Sequence, residues 1–165
     1  MHEPTCCFTG HRAKKLPWGY NTADPRCLDL KKRILDTVEV LFESGFHRFL
    51  CGMADGCDLY FCEAVLALRQ MHPEASLTAV IPFPGQADRW PHELREYYRE
   101  LLSRCDEQII VSPEYSRDCM MHRNRYMVDH SDIVIACFDG QSGGTLNTFL
   151  YAQKMERQII HLAIE

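Results

Sequence analysis

Two segments of the chain carry residue types suited to holding an anion: Thr9-Gly10-His11-Arg12 with Lys14 and Lys15 just beyond, and Asp139-Gly140-Gln141-Ser142-Gly143-Gly144-Thr145. In the second, the apolar run from Ile133 to Phe138 breaks into glycines and opens at once into a helical pattern from Leu146 to Met155. Glycines permit φ > 0 and close backbone approach, and the first-turn N–H groups of a helix have no partner within it. A phosphate at such a turn meets ready donors. The same glycines also serve a plain strand-to-helix turn, and this pattern alone does not separate the two readings. In the first segment, Gly10 and the planar fork of Arg12 suit two phosphate oxygens, where a lysine acts only as a point charge. A solvated basic loop is the alternative.

A third segment, Gly52-Met53-Ala54-Asp55-Gly56-Cys57-Asp58, places glycines and acids between a strand pattern and a helix pattern. Asp55 or Asp58 would hold ribose hydroxyls, or cap the helix and favour its dipole. Glu63 lies five positions after Asp58, a spacing that does not pair them as an acid/base couple. His122, Arg123 and Arg125 cannot all share one helix face, so only some of them line a pocket, and a lone charged residue on a helix is usually solvated. Trp90 and Tyr115 fall near loop ends, where aromatic rings either stack on a base or pack at a rim. The sequence contains no serine-hydrolase elbow, P-loop, complete G-x-G-x-x-G or zinc-ligand spacing.

These segments need elements to position them, and the hydrophobic pattern supplies strands and helices in alternation. Strands are expected over residues 5–9, 48–51, 76–81, 108–111, 133–138 and 158–163. Helices are expected over residues 25–43, 55–71, 91–103, 117–130 and 144–157. The first has one face of Leu28, Ile34, Leu35, Val38, Leu41 and Phe42. Parallel neighbours need crossover connections, so the alternation predicts an α/β fold. It is a single Rossmann-like three-layer sandwich over residues 1–165, with a mostly parallel sheet of about six strands and helices on both faces. Ligands in such folds bind beyond the C-terminal ends of the strands, which is where all three segments fall.

With 165 residues, 46% hydrophobic and 25% charged, the chain can bury a sizeable core as one unit. The net charge of -5 disfavours a general nucleic-acid surface, although it permits a local basic patch. Nine cysteines in an odd, scattered arrangement without C-x-x-C read as reduced core thiols. No apolar run reaches a membrane span and Met1-His2-Glu3-Pro4 lacks a secretory pattern, so a cytoplasmic protein with no membrane partner is expected.

Phe8-Thr9-Gly10-His11-Arg12, Gly52-Met53-Ala54-Asp55-Gly56-Cys57-Asp58, Ile81-Pro82-Phe83, and Gly143-Gly144-Thr145-Leu146-Asn147-Thr148 with Tyr151-Ala152 occur in an order that resembles the YpsA-like branch of the SLOG superfamily over nearly the whole chain. The resemblance implies a Rossmann-like fold that binds nucleotides or nucleotide-derived ligands. The superfamily includes the DprA DNA-processing proteins and the LOG phosphoribohydrolases, which cut the N-glycosidic bond of a nucleoside monophosphate. LOG enzymes use an arginine before a Ser-Asp strand and a glutamate in Gly-Gly-x-Gly-Thr-x-x-Glu. Aligned on Ser131-Asp132, that arginine falls on Arg123 and a following methionine on Met127; aligned on Gly144-Thr145, the glutamate falls on Thr148. A threonine cannot supply the negative charge that an oxocarbenium-like state requires, so Asp55, Asp58 or Asp139 would have to substitute.

The leading expectation is therefore a small nucleotide-like ligand held through Thr9, Gly10, Arg12, Gly52, Asp55, Asp58, Gly143, Gly144, Thr145 and Asn147. Arg123 adds charge and is catalytic only if the protein is a hydrolase. A LOG-like hydrolase is the alternative, and a DprA-like DNA-associated protein, disfavoured by the acidity, is the third. No cofactor beyond the nucleotide-derived ligand and no metal is called for. Apolar helix faces could serve a homo-oligomer as readily as the core.

Overall fold

The computed structural model describes residues 2–164. The chain alternates β1 (Thr5–Gly10), α1 (Pro25–Glu43), β2 (Arg48–Cys51), α2 (Cys57–Met71), β3 (Ser76–Ile81), α3 (His92–Arg104), β4 (Glu107–Ile110), α4 (Cys119–Asp129), β5 (Ile133–Phe138), α5 (Gly144–Lys154) and β6 (Gln158–Ala163). A short 3-10 turn, Ala13–Lys15, follows β1. Among the described residues the six strands form one sheet in the order β4-β3-β2-β1-β5-β6, and every pairing is parallel rather than most of them.

The strand order places the functional crevice. From β1 the chain steps outward through β2, β3 and β4, then returns to lay β5 on the opposite side of β1. The loops leaving β1 and β5 therefore diverge at their C-terminal ends, which is the switch point where open α/β sheets form ligand crevices.

The strands alternate their faces. Cys6 and Phe8 join the core beneath α1, α2 and α3, while Cys7, Leu50, Val80 and Val134 pack with Met127, Val128 and Ala152 of α4 and α5. Phe8 stacks on Phe61 with ring centroids 4.7 Å apart, fixing α2 over β1. α1 begins where Asp24 accepts a hydrogen bond from the Arg26 N–H at 2.8 Å and Pro25 occupies the first turn. Its buried stripe is Cys27, Leu30, Ile34, Val38 and Leu41. Leu28, expected on that stripe, is 55% exposed because it sits one position, about 100° of helix, beyond Cys27.

Several boundaries differ from the sequence pattern for local reasons. α2 starts at Cys57 rather than at residue 55, since Gly56 at φ +81 is still outside the helix. α5 stops at Lys154 rather than at residue 157, where Glu156 turns to φ +60. All nine thiols are free, and all but the half-buried Cys105 are buried. Burial pushes the Cys7 thiol up to about 12, the behaviour of an inert core group. No helix among the described residues is long and apolar enough to cross a membrane.

Candidate functional site

At the switch point a cavity of about 290 Å³ opens. Its wall takes Thr9, Gly10 and Arg12 from the end of β1, Asp58 from α2, Arg123 from α4, and Gly144 and Thr145 from the start of α5. Lys14, Lys15, His11, Met120 and Asn124 also line it. Among the described residues, four cations thus face one carboxylate, Asp58. In a chain of net charge -5, this excess is local rather than compositional.

The backbone fixes the loop after β1 from both sides. The His11 N–H donates to Cys137 O of β5 and the Cys57 N–H of α2 donates to His11 O, each at 3.1 Å. Gly56 permits this crossing: a Cβ there would lie 2.6 Å from the Ala13 nitrogen and 2.7 Å from His11 O, and its φ of +81 suits glycine. The His11 ring, 3% exposed, pairs through Nε2 with Asp139 Oδ1 at 2.9 Å, joining the loops after β1 and β5. That bond, followed by the Gln141 N–H, holds the Asp139 carboxyl below its ordinary range. Lys15 crosses the same gap, its Nζ donating to Ser142 O at 3.2 Å.

Arg123 departs from the expectation of a solvated helix cation: it is 3% exposed. Its Nη1 donates to Gly52 O and, at 3.4 Å, to Val80 O, and its Nε donates to Asn124 Oδ1 at 2.8 Å. Among the described residues Nη2 has only the Met120 sulfur, at 3.8 Å. The guanidinium therefore lines the cavity with donor capacity unspent on oxygen. Burial pushes its pKa down, opposed by the charge of Asp58. Asp58 accepts the Ala54 N–H at 3.1 Å, and burial pushes its carboxyl up to about 6 although Arg123 pulls the other way. Each feels the other's charge without a direct ion pair.

The remaining residues singled out from sequence lie outside the wall of this cavity. Gly52 lies against Arg123, where a Cβ would stand 2.7 Å from Nη1, so it makes room for the guanidinium. Asp55 accepts the Tyr20 hydroxyl at 3.1 Å, and its other carboxylate oxygen is buried without a partner. Gly143 is the residue before α5, and Asn147 opens onto a second cavity alongside. Thr148 donates its hydroxyl to Gly144 O at 2.9 Å, turned into its own helix. Trp90 packs edge-on against Tyr98, and Tyr115 edge-on against Phe83 while 67% exposed. Sequence reasoning passed over Asn124 and gave Gln86, in the loop after β3, no role of its own. Asn124 orients Arg123, and Gln86 donates to Gly52 O at 3.2 Å. Adjacency to Arg123 was a signal for Asn124; only the fold brings Gln86 to Gly52.

Comparison with known proteins gives a consistent picture. The YpsA family model, described as the YspA SLOG family, matches residues 6–163. The chain is 33% identical over 144 residues to the uncharacterized SPbeta prophage-derived protein YoqJ of Bacillus subtilis strain 168, covering 79% of this chain and 84% of that protein. A UPF0398 protein of Halalkalibacterium halodurans is 28% identical over 154 residues, covering 92% of this chain and 80% of the relative. Among solved structures, DNA processing protein A from Helicobacter pylori, described for its single-stranded DNA binding mode, superposes with a TM-score of 0.63. The match covers 97% of this chain and 65% of that one at 15% identity, a likeness of fold.

Proposed function

The chain belongs to the YpsA family of SLOG proteins, and from that premise we propose that the cavity at the β1/β5 switch point holds the phosphate of a small nucleotide or nucleotide-derived ligand. The observation that carries the reading is Arg123: a buried guanidinium on the cavity wall with one nitrogen lacking an oxygen partner. A thioether sulfur is a weak acceptor, so a charged donor held only by it gains from an oxygen partner. A phosphate oxygen satisfies Nη2, the N–H groups opening α5 at Gly144 and Thr145 supply neutral donors, and Arg12 closes from the β1 side. Thr9 and the Thr145 hydroxyl add polar wall. Calorimetric titration of nucleoside 5′-monophosphates and ADP-ribose into the wild type and Arg12→Ala tests this. The reading expects about a tenfold or greater loss of affinity in the variant, equivalent to about 1.4 kcal/mol. Equal affinity in the two proteins removes Arg12 from the site.

A second reading is cleavage of the N-glycosidic bond of a nucleoside 5′-monophosphate, favoured by Asp58 and Arg123 sharing one cavity wall. With Thr148 turned into its helix, the carboxylate that steadies an oxocarbenium-like state would be Asp58. A carboxyl pushed up to about 6 is mostly ionised at pH 7.5 and suits that role. Base release from a mononucleotide panel, abolished in Asp58→Asn, is the expected result. No release from any member rejects the hydrolase and leaves the binding reading in place.

A further inference from the structure

The cavity at the switch point has a neighbour that shares part of its wall. Met120, Asn124 and Gly144 also line a second cavity, of about 650 Å³, built from α4, α5 and the turn before α4. That larger space is again cationic: Arg117, Arg125 and Lys154 line it against one acid, Asp118. Arg125 lies over the Tyr151 ring at 4.9 Å. The Asn147 amide opens onto the same space, with a donor and an acceptor available. At about 290 Å³ the first cavity falls just below the range of roughly 300–1,000 Å³ typical of ligand sites, whereas together with the second, of about 650 Å³, it lies within that range.

Resting on the phosphate reading above, we infer that the ligand spans both cavities and carries two separated anionic groups, as a 5′-phosphorylated dinucleotide does. One phosphate lies between Arg12, Arg123 and the start of α5. The second phosphate-bearing unit passes Asn124 into the α4/α5 groove, where Arg117 and Lys154 meet it. A mononucleotide engages the first cavity alone. The charge distribution supports this: in an acidic chain, the two adjoining cavities have a combined seven cations against two carboxylates, four against one in the first and three against one in the second.

The test is titration calorimetry with AMP and with the dinucleotide pApA, on the wild type, on Arg12→Ala and on the double variant Arg117→Ala/Lys154→Ala. Arg117 and Lys154 are exposed, so the double variant keeps its fold, which a thermal melt verifies. The wild type is expected to bind pApA about tenfold more tightly than AMP. The double variant is expected to lose that advantage while its AMP affinity stays within about twofold, and Arg12→Ala to weaken both ligands. AMP binding with no gain from pApA overturns the two-cavity ligand and leaves the phosphate site standing. Retention of the pApA advantage in the double variant overturns it equally, as does tight binding of long single-stranded oligonucleotides with pApA no better than AMP. Failure of both AMP and pApA to bind overturns the inference together with the phosphate reading.

Discussion

Replacing Gly52 with alanine probes the packing that holds Arg123 in place. A Cβ at this position would stand 2.7 Å from Nη1, 2.8 Å from Cζ and 3.0 Å from Nε of Arg123. Ordinary contacts lie near about 3.5 Å, so the guanidinium or the strand end must yield by about 0.8 Å. The guanidinium has little room: it is buried and bonded to Gly52 O, Val80 O and Asn124 Oδ1. Overpacking of this kind costs about 1–3 kcal/mol. A loss of about 1–3 kcal/mol lowers the melting temperature by about 2–12 °C in a chain of this size. Displacing Nη2 from the ligand removes one charge-assisted hydrogen bond, about 1.5–3 kcal/mol, or roughly 10- to 100-fold in nucleotide affinity. Scanning calorimetry reads the first effect and nucleotide titration the second. A melting temperature and affinity both equal to wild type would refute the packing argument, and a lowered melting temperature with full affinity would refute the link from Arg123 to the ligand.

Gly144→Ala separates binding from stability: its Cβ meets open space and its φ is not left-handed, so the fold keeps or gains up to about 1 kcal/mol, while the added methyl at both cavities weakens AMP binding about threefold or more. Unchanged AMP affinity in that variant contradicts the placement of the ligand at α5. Asp58, pushed up to about 6, takes a proton as pH falls through that value and removes a negative charge from the anion cavity. Sulfate, whose own charge is constant over this range, should therefore bind more tightly at pH 5 than at pH 8, and Asp58→Asn should flatten the profile; an identical slope in the variant rejects this assignment. The same linkage has a stability sign: with its folded pKa above the ordinary 3.8, Asp58 disfavours the fold above about pH 6, and that penalty fades as pH falls towards 4. Phe8→Ala, which deletes a fully buried ring stacked on Phe61, should cost about 3–5 kcal/mol in denaturant unfolding, and a loss under about 1 kcal/mol would contradict the packing of α2 on β1.

The elements were legible because each has a clear period: the continuous apolar run at Ile133–Phe138 reads as a strand covered on both faces, and the Asp24-Pro25 start with the Ser44-Gly45 end brackets α1. Strand order was not, because nothing local tells β5 to lie beside β1 instead of β4. That placement decides the site, since it brings Gly10 and Gly144 to one cavity. Arg123 shows the limit most clearly. On a helix pattern it reads as one more surface cation, and its burial arises from the Gly52 and Val80 carbonyls that β2 and β3 bring under it. Asp58 and Asp55 were equivalent in sequence; the first, inside the opening turn of α2, reaches the cavity, whereas the second, in the loop before the helix, bonds Tyr20. Leu28 failed for a simpler reason, since one residue of helical phase separates the stripe from solvent.

The most direct test of the phosphate site is amide-resolved NMR of the uniformly ¹⁵N-labelled chain during titration with AMP. The account predicts chemical-shift changes concentrated at the amides of Gly10, Arg12, Gly144 and Thr145, where the first two leave β1 and the others open α5. Changes centred elsewhere, such as the cavity beside Trp18 and Arg33, or an unchanged spectrum at millimolar AMP, would contradict it.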